Sequence, residues 1–353
     1  MSAPVQSHSI RGRVVRSKRF SFRVADRAVA VCVALLLAVV GLGLVTLTTG
    51  DFELTVGEVV KALLGQGDGA SDFIVLTLRL PRLLTGVLVG AALAVSGAIL
   101  QSLSGNPLAS PDIIGFVQGS ATGAILVIVL VDGSMVQIGG GALVGGVVTS
   151  AVVYLLAYKQ GVQGFRLILI GIGVSFIMLS INSYLITRAS LSDAIAAQAW
   201  QVGGLNSRGW DHVQVVGVAL AVLLPLALYF GRRLSLLEMG DSAAKGLGVD
   251  TERSRLVLIA VSVGLAAVAT AAAGPVSFLA LAAPQLARRL TGSGGPGLIP
   301  AALMGALLLV AGDLAVQRLF SPAQLPVGIA TGAIGGLYLI WLLAHEWRKG
   351  IAR

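Results

Sequence analysis

Residues 256–287 read LVLIAVSVGLAAVATAAAGPVSFLALAAPQLA, a run of 32 residues without a single charged side chain. As one α-helix this run would be roughly 48 Å long, whereas a hydrocarbon core of about 30 Å needs only about 20 residues. Gly274 and Pro275 lie inside the run, and proline breaks a helix because it lacks an N–H donor and clashes with the preceding turn. The run therefore predicts two short membrane spans that are separated at Gly274-Pro275.

The composition of the whole chain points the same way. Of its 353 residues 56% are hydrophobic and only 12% are charged, about half the charged share of an ordinary soluble domain. Such a chain has too little polar surface to cover itself in water. Its net charge of +9 is carried by basic residues at the ends of apolar runs, which is typical of membrane orientation and argues against a nucleic-acid-binding protein.

Eight further stretches are free of charge and long enough to cross a membrane. They lie between residues 27 and 51, 82 and 112, 112 and 132, 132 and 159, 166 and 188, 212 and 232, 289 and 313, and 318 and 345. With the divided run they make ten spans. We therefore predict an all-α polytopic membrane protein of about ten transmembrane helices.

The distribution of Lys and Arg orients these spans. Ten spans place both termini on one side of the membrane, and that topology puts 19 of the 25 Lys and Arg residues on the side of the termini. By the positive-inside rule this side is the cytoplasm. We expect a basic cytoplasmic N-terminal segment (1–27), a transmembrane domain (28–345) and a short cytoplasmic tail (346–353). Because no cleavage-site pattern follows the basic segment, the first span is expected to be a retained signal anchor.

Pairs of small residues recur four positions apart within the spans. Such pairs let helix backbones approach closely, and we expect them to pack helices without any chemical role. They are Gly86 with Gly90, Gly119 with Gly123, Gly141 with Gly145, and Gly328 with Gly332.

Three loops are longer than simple connections. The first contains Thr55 and Glu58 in a capping-box spacing, which predicts a short helix to about residue 64 with a stop at Gly65. The second contains Ser190 before a predicted helix over 194–200. In the third, Gly240 is predicted to end one short helix, and Asp241 or Ser242 to cap a second one that stops at Gly246 or Gly248. A capped cytoplasmic helix fits a docking site for a partner protein as well as it fits a plain linker.

The chain shows no motor of its own. It lacks the GxxxxGK[ST] nucleotide-binding loop, so the common route of ATP hydrolysis is excluded and a separate polypeptide is expected to supply the energy. Asp313 lies at the outer end of the ninth span, where it can be a proton relay or, as we favour, a structural group at a helix end. The single cysteine, Cys32, and the three scattered histidines predict neither a disulfide nor a protein-held metal.

Several segments, taken in order, resemble the FecCD-type permeases of ABC importers, which carry iron-siderophores, haem or vitamin B12. The resemblance covers nearly the whole chain beyond about residue 30. The segments are Arg79-Leu-Pro-Arg82, 90–98 with Gln101, 106–111, 114–116, 237–241, 246–249, 274–278, 284–288 and 324–328.

The resemblance implies a non-catalytic transport subunit that binds no cofactor. It implies ten spans in a bacterial inner membrane and a second, related permease chain, most simply in a heterodimer. It also implies two cytoplasmic ATPase subunits, which use ATP and Mg, and an extracytoplasmic siderophore-binding protein.

The resemblance also implies site residues. Arg79 and Arg82 are expected to be exposed and to dock the binding protein, with Arg318 as a substitute for a third docking arginine that some relatives carry where this chain has Gln317. A cytoplasmic gate is expected at Asn106, Pro107 and Leu108. ATPase coupling is expected in the segment 234–250, through Leu237, Glu238, Met239, Gly240, Asp241, Ala244, Gly246, Leu247 and Gly248. Gln285 stands where many relatives have histidine, and we assign it no role.

Three functions are compatible with the sequence. The first is an importer permease for a ferric siderophore, with a catecholate of the enterobactin type as the expected cargo. The second is the same machine carrying haem or vitamin B12. The third, from a different class, is an ion-coupled secondary transporter working alone. Within the resemblance the cargo stays open, because pore-lining residues are small and apolar and the binding protein usually sets selectivity.

Overall fold

The computed structural model describes residues 13–17, 20–50, 52–111, 115–157, 164–292, 294–320 and 325–351. Over these residues ten main helices match the ten predicted spans one for one. They are α1 Asp26–Thr48, α4 Leu80–Ser104, α5 Phe116–Val131, α6 Met135–Ala157, α7 Gly164–Arg188, α9 Trp210–Leu237, α11 Thr251–Ala273, α12 Leu279–Thr291, α13 Leu298–Leu319 and α14 Val327–Ile351.

Seven helical segments of the described chain are long and apolar enough to cross a membrane on their own, and α5 and the first half of α14 are shorter apolar helices. Helix α12 has 13 residues and is largely buried among its neighbours. The predicted division of the long apolar run is confirmed, since α11 ends at Ala273 and Gly274 takes a φ of +70°. The protein is a multi-pass membrane protein.

Short elements connect the main helices. They are α2 Val56–Leu63, α3 Gly69–Asp72, a π-helical turn Phe73–Arg79 that runs into α4, α8 Leu191–Val202 and α10 Asp241–Gly246. The N-terminal segment also forms an antiparallel hairpin of β1 Arg13–Ser17 and β2 Phe20–Val24, which the sequence analysis did not predict. Among the basic residues of the two predicted cytoplasmic terminal segments, Arg11, Lys18, Arg19 and Arg353 lie outside the described residues.

The two capped loop helices are confirmed. Thr55 accepts a hydrogen bond from the amide of Glu58 and donates its own amide to the Glu58 carboxylate at 2.7 Å, which completes the capping box of α2. Gly65 follows with a φ of +70°. The Ser190 hydroxyl accepts from the amide of Asp193 at 3.2 Å and starts α8 three residues earlier than predicted.

Helix α4 lies at the centre of the bundle. It packs against α9, α11, α12 and α13, and every residue from Val89 to Ser102 is buried. Ser96 is one of the polar residues buried in this core, and its hydroxyl lies 2.9 Å from that of Ser262 on α11. Helices α1 and α7 present many large apolar side chains to the outside, as helices in contact with lipid or a second chain do.

Glycines set the closest helix contacts. A Cβ added at Gly90 would overlap the carbonyl oxygen of Gly305 on α13, and one at Gly123 would overlap that of Gly141 on α6. The predicted packing role is therefore confirmed for these positions. It is wrong for Gly332, where an added Cβ would meet no atom within 4 Å.

The helix ends sort onto two ends of the bundle. At one end, Nε of Arg27 in the first turn of α1 donates to the carbonyl of Leu290 near the end of α12 at 2.7 Å. We call this the inner end. At the opposite, outer end, Nε1 of Trp210 at the start of α9 donates to the carbonyl of Leu76 at 2.9 Å. The names follow the predicted orientation, and the cytoplasmic location of the termini stays a prediction.

Candidate functional site

The predicted gate residues form a tight turn at the inner end, directly after α4. Gly105 ends the helix with a φ of +61°, and the side-chain carbonyl of Asn106 accepts from the amide of Leu108 at 2.9 Å. The backbone carbonyl of Asn106 accepts from Ala109 at 3.1 Å. Asn106 therefore builds the turn, while Pro107 and Leu108 are displayed at its exposed tip.

A polar side chain of α12 attaches this turn to the bundle. Nε2 of Gln285 donates to the carbonyl of Pro107 at 2.6 Å, and the hydroxyl of Tyr338 on α14 donates to Oε1 of Gln285 at 3.3 Å. One helical turn further along α12, Arg288 donates to the side-chain carbonyl of Gln101 on α4. Gln285 of α12 thus holds the gate turn directly, and Tyr338 of α14 supports Gln285. Both helices lie far from the turn in sequence. The sequence alone assigns Gln285 no role, although a polar residue inside an apolar run is the signal that could have found it.

The predicted coupling segment differs from expectation in two ways. Helix α9 continues unbroken to Leu237, so no separate short helix precedes Gly240. The cap predicted at Asp241 or Ser242 is also wrong, because α10 begins at Asp241 after Gly240, whose φ is +99°. The Asp241 carboxylate instead pairs with Arg255 on α11 at 2.9 Å. This pair joins α10 to the start of a core helix.

Residues of the coupling segment divide between inside and outside. Ala244 is fully buried, whereas Met239 and Leu247 are 66% and 61% exposed. Met239 and Leu247 flank α10 on its two sides, and large exposed apolar side chains of this kind are suited to insertion into a groove of another protein. The remaining predicted residues, Glu238, Gly246 and Gly248, are exposed beside them.

One cavity of about 780 Å³ brings the two predicted regions together, and we call it the inner cleft. Its walls include the gate residues Pro107 and Leu108, the coupling residues Leu237, Glu238, Gly240 and Asp241, and Gln285, Arg288 and Arg289 of α12. Asn106, Met239, Ala244, Gly246, Leu247 and Gly248 lie outside its lining. A movement of the coupling segment would therefore alter the space beside the gate turn directly.

The predicted docking arginines occupy the outer end, but two of them are not the exposed side chains that were expected. The guanidinium of Arg82 forms a two-pronged pair with Asp313 on α13, with both N–O distances at 2.8 Å and with 17% and 6% of the side chains exposed. Arg79 donates to the backbone carbonyls of Leu47, at 2.6 Å, and of Phe52. The expectation that both side chains are exposed is wrong. The guanidinium groups are instead hydrogen-bonded to the Asp313 carboxylate and to backbone carbonyls of the bundle.

Arg318 behaves differently and is exposed at the end of α13. One residue earlier, Nε2 of Gln317 donates to Oδ2 of Asp313 at 2.7 Å. Both oxygens of Asp313 are engaged by Arg82 and Gln317, which favours a structural role over a proton relay. Within the described residues no group of three or more His, Cys, Asp or Glu side chains could hold a metal ion.

Comparisons with known proteins agree over most of the chain. The profile of the FecCD transport family matches residues 21–345. The ferric enterobactin transport system permease protein FepG of Escherichia coli K12 is 46% identical over 326 residues, which cover 92% of this chain and 99% of that protein. The Fe(3+)-citrate import system permease protein YfmE of Bacillus subtilis 168 is 36% identical, over 87% of this chain and 92% of its own length.

A solved structure shares the same architecture. An inward-facing structure of a metal-chelate type ABC transporter superposes with a TM-score of 0.79 at 29% identity, covering 90% of this chain and 99% of the matched chain. The two relatives are named for different chelates, ferric enterobactin and Fe(3+)-citrate, so they have in common a class of cargo and not one compound.

Proposed function

The chain belongs to the FecCD transport family, the permeases of siderophore and iron-chelate ABC transporters, and from this premise we propose that it forms part of the pore through which a ferric siderophore enters the cytoplasm. The chain itself is a non-catalytic transport subunit that works with ATPase and substrate-binding partners. A catecholate chelate of the enterobactin type is the proposed cargo, because FepG is 46% identical over 92% of the chain. Inward transport across a bacterial inner membrane is part of the proposal.

The inner cleft is the observation that carries the mechanism. Its cavity of about 780 Å³ is bounded on one side by the gate turn and on the other by Leu237 to Asp241. Displacement of α10 by a partner would pull on α11 through the Asp241–Arg255 pair and change the space into which Leu108 projects. We propose that ATP-dependent movement reaches the gate by this route, with Met239 and Leu247 seated in the ATPase.

The assembly we propose contains this chain, a second related permease, two ATPases that bind ATP and Mg, and an extracytoplasmic binding protein. This chain is proposed to bind no cofactor of its own. The proposed division of the chain is a basic cytoplasmic segment at 1–27, a permease domain at 28–345 that contains the coupling segment, and a tail at 346–353. The exposed Arg318 is the proposed contact for acidic residues of the binding protein. Arg79 and Arg82, at the same end of the bundle, are proposed to contribute to this docking surface. Exposed ion pairs contribute only about 0.2–1 kcal/mol each, so they would orient the partner more than hold it.

Uptake by the reconstituted complex tests the function. Proteoliposomes with both permeases and the ATPases should accumulate ferric enterobactin only when the binding protein and ATP are present. Transport by the chain alone on an ion gradient would instead establish a secondary transporter. A binding protein that holds haem or cobalamin, and no ferric siderophore, would transfer the proposal to those cargoes.

The coupling role has its own test in Leu247→Glu. The side chain is 61% exposed, so the permease should insert and fold normally. A charge in a hydrophobic contact should abolish substrate-stimulated ATPase activity and uptake together. Leu191→Glu is the matched control, because Leu191 is 80% exposed at the outer end. Equal activity of Leu247→Glu and Leu191→Glu would return α10 to the role of a linker.

A further inference from the structure

Arg208 is a buried arginine in the loop between α8 and α9 at the outer end. Only 9% of the residue is exposed, and its Nε donates to the carbonyl of Gly204 at 3.3 Å. Its Nη1 approaches the sulfur of Met135 at 3.8 Å, and thioether sulfur is a weak acceptor. A guanidinium has five N–H donors, so this charged group meets few good acceptors. Burial lowers the pKa of Arg208, and no carboxylate offsets that effect.

The histidine beside it does not supply the missing acceptor. Nδ1 of His212 accepts a hydrogen bond from the amide of Gly209 at 3.3 Å. The neutral ring therefore carries its hydrogen on Nε2, the nitrogen that lies 3.4 Å from Nη1 of Arg208. Two donors face each other at this contact, and an oxygen atom placed near them could accept from both.

A cavity of about 410 Å³ opens onto this arginine. Arg208 lines it together with Arg82, Thr77, Leu78, Ser207 and Gly209. The charge of Arg82 is balanced by Asp313, whose two oxygens are both used. The other nearby carboxylate, Asp211, is exposed on the next turn and forms no ion pair within the described chain. The cavity therefore holds one positive charge in excess, beside the N-terminal end of α9, which adds a further partial positive charge.

We propose that Arg208 is the centre of an oxyanion-binding site at the outer mouth of the permease. The ligand chemistry is a carboxylate or catecholate oxygen that accepts from the guanidinium. Two sources of such an oxygen exist if the proposed function is right, on which this inference rests. One is an acidic side chain of the docked binding protein, and the other is the iron chelate, which is anionic because its catecholate oxygens outweigh the charge of the ferric ion. A charge that costs desolvation in the free permease is then matched only after the binding protein has docked.

The test uses the complete transporter in nanodiscs with Arg208→Gln, Arg208→Lys and, as the matched control, Arg188→Gln, since Arg188 is exposed at the same end. The dissociation constant is measured for the binding protein, both empty and loaded with ferric enterobactin. Arg208→Gln should weaken binding by about tenfold, equivalent to about 1.4 kcal/mol. Arg208→Lys should stay closer to the wild type, and Arg188→Gln should have no effect.

The pattern of loss identifies the source of the oxygen. Equal weakening of empty and loaded binding protein assigns a protein carboxylate, and weakening of the loaded form alone assigns the chelate. Unchanged affinity in both forms overturns the proposal, as does a lowered thermal midpoint of Arg208→Gln with unchanged affinity, since that is what a purely structural arginine would give.

A readout on the wild type covers the case in which Arg208→Gln fails to assemble. Replacing chloride by acetate at constant ionic strength should raise the thermal midpoint of the wild-type complex, because a ligand that binds only the folded state stabilises it. No rise overturns the site. A wild type without ATP-dependent uptake would contradict the proposed function separately, and the acetate result would still decide the role of Arg208.

Discussion

Removing either partner of the Arg82–Asp313 pair should destabilise the bundle, and a double-mutant cycle measures by how much. The pair joins α4 to α13 through two bonds of 2.8 Å. Breaking a buried pair from one side typically costs about 3–5 kcal/mol, because the other charge is left uncompensated. Arg82 keeps 17% exposure and Asp313 only 6%. We therefore expect about 2–3 kcal/mol for Asp313→Asn, where the arginine retains some water, and about 3–4 kcal/mol for Arg82→Gln.

The double variant should recover part of this loss. With both charges gone no buried ion remains, and contacting residues couple by about 0.5–3 kcal/mol. The free energies of unfolding of the four proteins are compared in mixed micelles by tryptophan fluorescence. Arg318→Gln, on an exposed arginine of the same helix, is the control and should stay within about 0.5 kcal/mol of the wild type. Strictly additive single effects, or single losses below about 0.5 kcal/mol, would refute the reasoning.

The same pair decides how docking can be tested. A glutamate at position 82 would face Asp313 inside the bundle, so loss of uptake after that reversal would report misfolding as readily as lost docking. Arg318→Glu avoids this problem because the side chain is exposed. It should reduce the affinity of the binding protein, and more strongly at low salt than at high salt.

Three further changes have defined outcomes. Gln285→Leu removes the donor to Pro107, and a lost hydrogen bond of about 1 kcal/mol should speed amide exchange in the gate turn about fivefold. Gly97→Ala should cost at least about 2 kcal/mol of stability, because the added Cβ would overlap the carbonyl of Ala280 in a packed core. Two hydrogen bonds from Thr55 hold the pKa of Glu58 below its ordinary value of 4.5, and the bond from the Thr55 amide has a larger effect than the bond from its hydroxyl. The contribution of Glu58 to α2 is therefore complete above that value, and amide protection of α2 should fall as the pH drops below it.

Each change has a matched control. Tyr338→Phe keeps the bond from Gln285 to the gate turn and should leave its exchange nearly unchanged. Gly41→Ala meets no atom within 4 Å and should be neutral or stabilising. Glu58→Gln should remove the pH dependence of α2. Unaltered exchange in Gln285→Leu, or a loss of α2 protection with pH that persists in Glu58→Gln, would contradict the assigned contacts.

The architecture was predictable because it depends on simple quantities. Span number follows from apolar run length and from charge, and the break at Gly274-Pro275 follows from the covalent structure of proline. The caps at Thr55 and Ser190 are local, so four residues contain all the information they need.

The site was less predictable because its contacts join distant segments. Arg82 and Asp313 are 231 positions apart, and no local pattern shows that they meet. The exposure expected for Arg82 was wrong for this reason. Arg208 gave no signal at all, because a lone arginine in a loop reads as a surface residue until its burial is known.

The central position of α4 has a consequence for how the chain is made. Its partner α13 begins at Leu298, almost two hundred residues after α4 ends at Ser104. At about 5–20 residues per second, the ribosome needs roughly ten seconds or more to supply it. Ser96 lacks its partner until α11 is made, Gln101 until α12 is made, and Arg82 until α13 is made. A chain truncated before α11 would therefore leave the small and polar residues of α4 without the helices that bury them.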